Sequence, residues 1–206
     1  MIVDYYRPKD VQEALKLLEK KDLRPVLMGG GTAIDRFSGE PMAVIDLQDV
    51  GLREIHNKGK ILEIGAMVTL QSLYDAPQIS DELRKIILRE ATQNLRNAAT
   101  VAGTLIASDG RSPLTSAMLA LDAAVTSLPG DEVISLGNFL LMREQVLGNR
   151  IVTKISIPIN VKLAYEYISR TPADLPIVNA SVAVWPTGRT RVILGGVGEV
   201  PTLALD

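Results

Sequence analysis

The first periodic signal begins at Asp10. With Glu13 it makes a capping box just after Pro8, and Val11, Ala14, Leu15 and Leu18 then recur at helical spacing. The helix they predict ends in the polar stretch EKKD. LRPVLM follows as a short strand running straight into Gly29, Gly30 and Gly31, and MAVIDL (42–47) reads as a second buried strand. KILEIGAMVTL predicts a strand and a turn, and Leu70 to Tyr74 a short helix. Ser80 is placed to cap a further helix striped by Leu83, Ile86, Ile87 and Ala91. The periodicity then breaks over NLRNAATVAGTLIASDGRSP, which reads as a loop; a loop that long is functional or disordered, and its apolar content argues against disorder. Ser112 and Pro113 start another helix as N-cap and N1, with Leu114, Met118 and Leu121 on its face. DEVISLGNFLL and RIVTKISIPI are strand candidates. Three more strands follow 162, the last two joined by a hairpin at Pro186, Thr187 and Gly188. Val178, Ala180, Val182 and Val184 alternate there, predicting one buried and one exposed face. That face needs a cover, either another chain or the first part of this one.

Three successive glycines at a strand end call for bare backbone, in a sharp turn or under a ligand. Their spacing fits neither G-x-G-x-x-G nor a P-loop. A nest of backbone N–H groups that holds a phosphate needs neither spacing, so anion binding and a plain tight turn both stay open. TVAGTL (100–105) offers a second small, hydroxyl-flanked turn, and two such loops could clamp the two phosphates of a dinucleotide.

Composition narrows the chemistry. The net charge of the 206 residues is -2, with no basic block, which argues against nucleic acid and anionic membrane as partners. No apolar run approaches the roughly 20 residues that span a bilayer. MIVDYYRPKD resembles no export signal, so a cytoplasmic protein is expected. Cysteine is absent and histidine occurs once, at His56, which reads as a solvated loop residue. Disulfides, Cys-ligated clusters and a His-rich metal site are thereby excluded within this chain. No metal ligand and no catalytic side chain is expected, and redox or group-transfer chemistry would have to be carried by a cofactor.

LMGGGTAI, EIGAMVTL, NLRNAATVAGTLIASD and SAMLALDAAV, in that order, resemble the FAD-binding medium subunit of the molybdenum hydroxylases, the carbon monoxide dehydrogenase and xanthine dehydrogenase family. IVTKISIPI, AYEYISRTPADLPIVNASVAV and ILGGVGEVPT extend the resemblance over nearly the whole chain. No single stretch is specific; the ordered set is. It implies an α+β fold in which a two-part FAD-binding domain of the vanillyl-alcohol-oxidase type occupies 1–50 and 51–160. A shortened C-terminal antiparallel β domain, lacking its covering helices, would occupy 161–206.

For the site, the resemblance implies that Gly29, Gly30, Gly31, Thr32, Ala33 and Ile34 form the loop whose amides hold the FAD pyrophosphate. Thr100, Ala102, Gly103 and Thr104 match the second loop, Ser112 the Ser of a Ser-Asp pair, and Leu175 an apolar residue against the isoalloxazine ring. Four positions depart from the family pattern: Ala33 for an acidic residue, Ala102 for a glycine, Pro113 for an Asp, and Glu166 for the Lys of some members. The implied role is an oxidoreductase subunit that takes electrons from partner [2Fe–2S] clusters through FAD to an acceptor. Its implied partners are a molybdopterin-binding large subunit and a [2Fe–2S] small subunit, with a homodimer left open. A family member that has lost FAD and serves as a docking subunit is the alternative, and a free-standing protein for another phosphate ligand a third reading.

Overall fold

The computed structural model describes residues 1–20, 24–34 and 41–206. Strand β1 (Ile2–Tyr6) leads into helix α1 (Val11–Leu18), then β2 (Arg24–Met28) and β3 (Met42–Asp46). The three strands form a parallel sheet in the order β1-β3-β2. Asp10 caps α1 by accepting from the Glu13 N–H at 2.8 Å, while the Glu13 carboxylate reaches back to the Lys9 N–H at 2.8 Å. Ala14 and Leu18 are buried against Ile45 and Leu47, as the stripe predicts. Part of EKKD and the first residue of LRPVLM lie outside the described residues.

The middle of the chain supplies β4 (Ile55–Lys58), β5 (Ile61–Gly65), α2 (Leu70–Asp75), α3 (Asp81–Glu90), α4 (Gln93–Ala98), α5 (Val101–Ala107) and α6 (Pro113–Ala120). It continues with β6 (Ala124–Leu128), β7 (Glu132–Ser135), α7 (Leu136–Leu147) and β8 (Ile151–Pro158). Its five strands make an antiparallel sheet in the order β4-β5-β8-β6-β7. Ser80 caps α3 and Ser112 caps α6, each accepting from the N–H three residues on, with Pro113 in the first turn of α6.

Three expectations change here. Residues 93–107 are two short helices, because Val101, Ala102 and Leu105 are buried in the main core although their spacing shows no stripe. DEVISLGNFLL is a strand only to Ser135; Ser135 then caps α7 through the Asn138 N–H. His56 lies on the exposed edge strand β4 rather than in a loop, its Nε2 2.9 Å from the Glu54 carboxylate.

The last sheet contains β9 (Lys162–Ile168), β10 (Val178–Val184), β11 (Thr190–Gly195) and β12 (Thr202–Leu205), in the order β12-β11-β10-β9. It packs on α6 and α3 of the same chain. The valines of β10 take the outward face. Asn179, Ser181 and Ala183 are the buried ones, against an α6 whose eight residues are all buried. Only small side chains fit between α6 and β10, and that steric demand outweighs the transfer energy of the valines. Ala183→Leu is therefore expected to lower stability by about 1–3 kcal/mol. Val182→Thr, on the outward face, should change it by no more than about 0.5 kcal/mol. Urea unfolding of the two variants reads the difference directly, and the reverse order would put the valines inside.

Candidate functional site

Strand β2 lies at the edge of the parallel sheet, and the chain leaves its C-terminal end through Gly29, Gly30 and Gly31. The turn lies directly on the backbone of Ala98 and Ala99 and on the Thr100 side chain. A methyl carbon built on Gly30 would sit 1.7 Å from the Ala98 carbonyl oxygen, and one on Gly29 would sit 2.7 Å from the Thr100 Oγ1. Gly31 has φ +71°, in the left-handed region that glycine favours. The Ile34 N–H closes back on the Gly31 carbonyl at 3.3 Å. Among the described residues, no hydrogen bond takes up the N–H groups of Gly30, Gly31, Thr32 or Ala33. Four adjacent unpaired donors in a tight turn are the makings of an anion nest.

The surface beneath the turn is held from behind. Leu70 N–H donates to the Ala99 carbonyl at 2.9 Å and Val101 N–H to the Val68 carbonyl at 2.8 Å. Thr100 is the N-cap of α5, its Oγ1 accepting from the Gly103 N–H at 3.1 Å. A side chain at 103 would crowd that hydroxyl, since its Cβ would lie 2.7 Å away. TVAGTL is thus a cap and first helical turn rather than a loop. Ala102 sits in that turn, 5% exposed and outside the positive-φ residues, so its methyl group needs no glycine-only conformation.

A cleft of about 540 Å³ opens between these segments. Gly29 to Ile34 line it together with Thr100, Ala102 and Gly103, so the two stretches singled out in the sequence face one space. Met67, Ile106 and Val152 add apolar surface, and Glu144, Leu147 and Gly148 of the end of α7 close it from another side. Size and lining suit a small-molecule site. With bare glycine backbone at one end and apolar walls beyond, they also suit a phosphate-bearing ligand with a flat, apolar body. None of the α7 residues was a sequence candidate: the stretch MREQVLG offers one isolated glycine and no hydroxyl, and only the packing of α7 brings it here. Among the described residues, no group of three His, Asp or Glu side chains is placed to hold a metal ion, and no helix is long and apolar enough to cross a membrane.

Thr104, Ser112 and Leu175 lie outside this cleft. Thr104 belongs to the first turn of α5, and Leu175 is 46% exposed between β9 and β10. Ser112, 4% exposed, donates its hydroxyl to Glu90 Oε2 at 2.8 Å, and the same oxygen accepts the Leu114 N–H at 2.8 Å. Burial raises the Glu90 carboxyl above the usual carboxylate range, the two hydrogen bonds opposing it. Tyr165 and Tyr167 share the inward face of β9 with ring centroids 5.8 Å apart, and the Arg89 guanidinium lies over the Tyr167 ring. Burial pushes the Tyr165 phenol upward as well. Pro113 stands at helix N1, where its missing N–H is not needed. Glu166 points outward, opposite Ala180.

Comparison with known proteins places this geometry. Residues 1–160 match the family described as the FAD binding domain in molybdopterin dehydrogenase. The chain is 32% identical over 202 residues to the uncharacterized protein YgfM of Escherichia coli K12, covering 97% of this chain and 76% of that one. It is 28% identical to the carbon monoxide dehydrogenase medium chain of Afipia carboxidovorans, over 90% of this chain and 69% of the relative. The fold matches a chain of the carbon monoxide dehydrogenase of Hydrogenophaga pseudoflava with a TM-score of 0.88 at 22% identity, covering 98% of this chain and 77% of that one. The relatives include dehydrogenase subunits, and the chain belongs to the family of FAD-binding domains of the molybdopterin dehydrogenases.

Proposed function

We propose that this chain is the flavin-holding, electron-transferring subunit of a molybdenum hydroxylase complex, built as a two-part FAD-binding domain of the vanillyl-alcohol-oxidase type with a small β domain behind it. The observation that carries the reading is the shared cleft: Gly30 to Ala33, whose N–H groups have no partner among the described residues, and the Thr100–Gly103 turn line the same space. The glycine turn would hold the FAD pyrophosphate by neutral donors, since no Lys or Arg is among the described lining residues. Ser112 and Leu175, held by α6 and the sheet, would meet the isoalloxazine end. When bound, the flavin supplies the redox chemistry; the chain binds it, orients it and keeps water from one side. With no cysteine in the chain, the [2Fe–2S] clusters and the molybdopterin would belong to separate small and large subunits. The substitutions at 102 and 113 are accommodated by helix geometry, which weakens the case for a subunit that has lost its flavin.

Purified protein loaded with FAD and desalted should keep the flavin absorption bands, with the flavin fluorescence quenched. A colourless protein whose addition leaves FAD fluorescence unchanged would sink the reading in favour of a docking subunit.

A further inference from the structure

The cleft is polarised. On one side stand Gly30 to Ala33, with four adjacent N–H donors that have no partner among the described residues. The other side presents acceptors. Glu144, Leu147 and Gly148 lie three and four residues apart, so they share one stripe of α7 facing the cleft. The last carbonyls of a helix lack intrahelical partners and carry its negative end. Glu144 is the one charged side chain among the described lining residues. It makes no hydrogen bond or ion pair with any of them. Its place is fixed all the same. The neighbouring Arg143 guanidinium donates to the Ser108 carbonyl at 2.8 Å and the Ile106 carbonyl at 3.3 Å, pinning α7 to the end of α5. Leu136, Phe139 and Leu140 anchor the rest of the helix in the core.

A ligand that matches both walls has phosphates at one end and paired hydrogen-bond donors a short distance away. A nucleotide fits this description, because its ribose carries two adjacent hydroxyls one ester link from the phosphates. Carboxylate-to-hydroxyl bonds are among the stronger ones, and two carboxylate oxygens can accept from a vicinal diol together. The same charge repels a phosphate placed at either hydroxyl.

We propose that Glu144 selects the ribose of the adenylate half of the bound dinucleotide, its carboxylate accepting from the 2′- and 3′-hydroxyls. The inference rests on the flavin reading for the name of the ligand but can be tested without it, by using ADP, 2′-deoxy-ADP and 3′-deoxy-ADP as probes in calorimetric titrations of the full chain. Wild-type protein should bind ADP roughly tenfold more tightly than either deoxy analogue. Glu144→Ala should erase that gap by weakening ADP alone, and Glu144→Gln, which keeps one acceptor oxygen, should fall between. An unchanged thermal midpoint would show that the exposed substitution leaves the fold intact. Equal weakening of all three probes would overturn the proposal, and so would tighter ADP binding by Glu144→Ala, which would make the carboxylate only a repulsive charge. Retained ADP discrimination in a protein that ignores FAD would instead remove the flavin reading and leave the ribose contact standing. Absence of binding by all of the probes would remove both.

Discussion

Gly30→Ala is expected to cost about 3 kcal/mol of stability and to weaken FAD binding at least a hundredfold. The atoms that a new methyl group would meet are all backbone. The Ala98 oxygen would lie 1.7 Å away, the Ala98 carbonyl carbon 2.5 Å and the Ala99 Cα 3.1 Å. No rotamer change relieves contacts of that kind, so one segment has to move. Residues 98–101 are tied to the turn before α2 and to the start of α2 through Leu70 N–H to Ala99 O and Val101 N–H to Val68 O, and Thr100 forms a bridge with Thr69. The glycine turn, which lines the cleft, is the part that yields, and its N–H groups go with it. Gly59→Ala is the control. Gly59 also has positive φ, at +78°, but nothing lies within 4 Å of its added carbon. It should cost only the about 1–2 kcal/mol of the left-handed conformation and leave FAD binding alone. Urea unfolding and flavin fluorescence titration of both variants separate the two terms. Equal losses of stability would show that the turn is not pressed against residues 98–100 in solution.

The same contact explains why the glycine turn was readable and its surroundings were not. Three glycines in a row announce a close approach, but only the fold says to what. Helices α1, α3 and α6 were legible because each has a side-chain cap and, in the first two, an apolar stripe over a polar background. Helices α4 and α5 have six and seven residues, too short for a stripe to repeat. Packing makes them helices; propensity does not. Strand β10 misled in the opposite way, since its pattern is strong and its valines lie outside. The cause is α6, buried on every side and lined with Ala, Ser and Thr, which leaves room for Ser181 and Ala183 but not for Val. Strand β12, from the terminal TLAL, lies too close to a Gly- and Pro-rich stretch to be read alone. At the site, Gly29 to Ile34 and Thr100 to Gly103 could be found as short irregular stretches of small residues. Glu144 could not, because an exposed Glu on a helix has no local mark that sets it apart. Glu90 was equally silent in sequence, being one charged residue at the end of a charged helix.

Glu90→Ala should cost about 2–4 kcal/mol of stability. Glu90 ends α3, and its Oε2 takes both the Ser112 hydroxyl and the Leu114 N–H, one of the donors that the first turn of α6 leaves unpaired. Ser112 Oγ in turn accepts the Thr115 N–H at 3.1 Å. One carboxyl therefore joins α3 to the start of α6, the helix on which the last sheet packs. Removing it strands the buried Leu114 N–H and leaves the Ser112 hydroxyl only the Thr115 Oγ1, at 3.0 Å, to donate to. Glu90→Gln retains an acceptor oxygen and isolates the charge. Burial raises the Glu90 pKa in the folded protein and the nearby Asp109 charge adds to it, while the bonds from Leu114 and Ser112 pull it down. A carboxyl with a raised folded value binds its proton more readily folded than unfolded, so its protonation stabilises the fold at low pH. That contribution is fully present below the unfolded value of about 4.3 and is lost as pH rises through the folded one. Wild-type stability relative to Glu90→Gln should therefore fall with pH above about 4.3 and level off once the folded carboxyl has ionised. Glu90→Ala should lie below both throughout. Urea unfolding of the three proteins from pH 4 to pH 8 measures the two differences, and a pH-independent gap between wild type and Glu90→Gln would mean that the folded carboxyl titrates at its ordinary value. On the proposed flavin reading the consequence would reach the isoalloxazine end, because the oxygen that Glu90 holds in place is the Ser112 hydroxyl. Glu90→Gln should leave ADP binding in the glycine cleft unchanged, since none of the residues it touches lines that cleft.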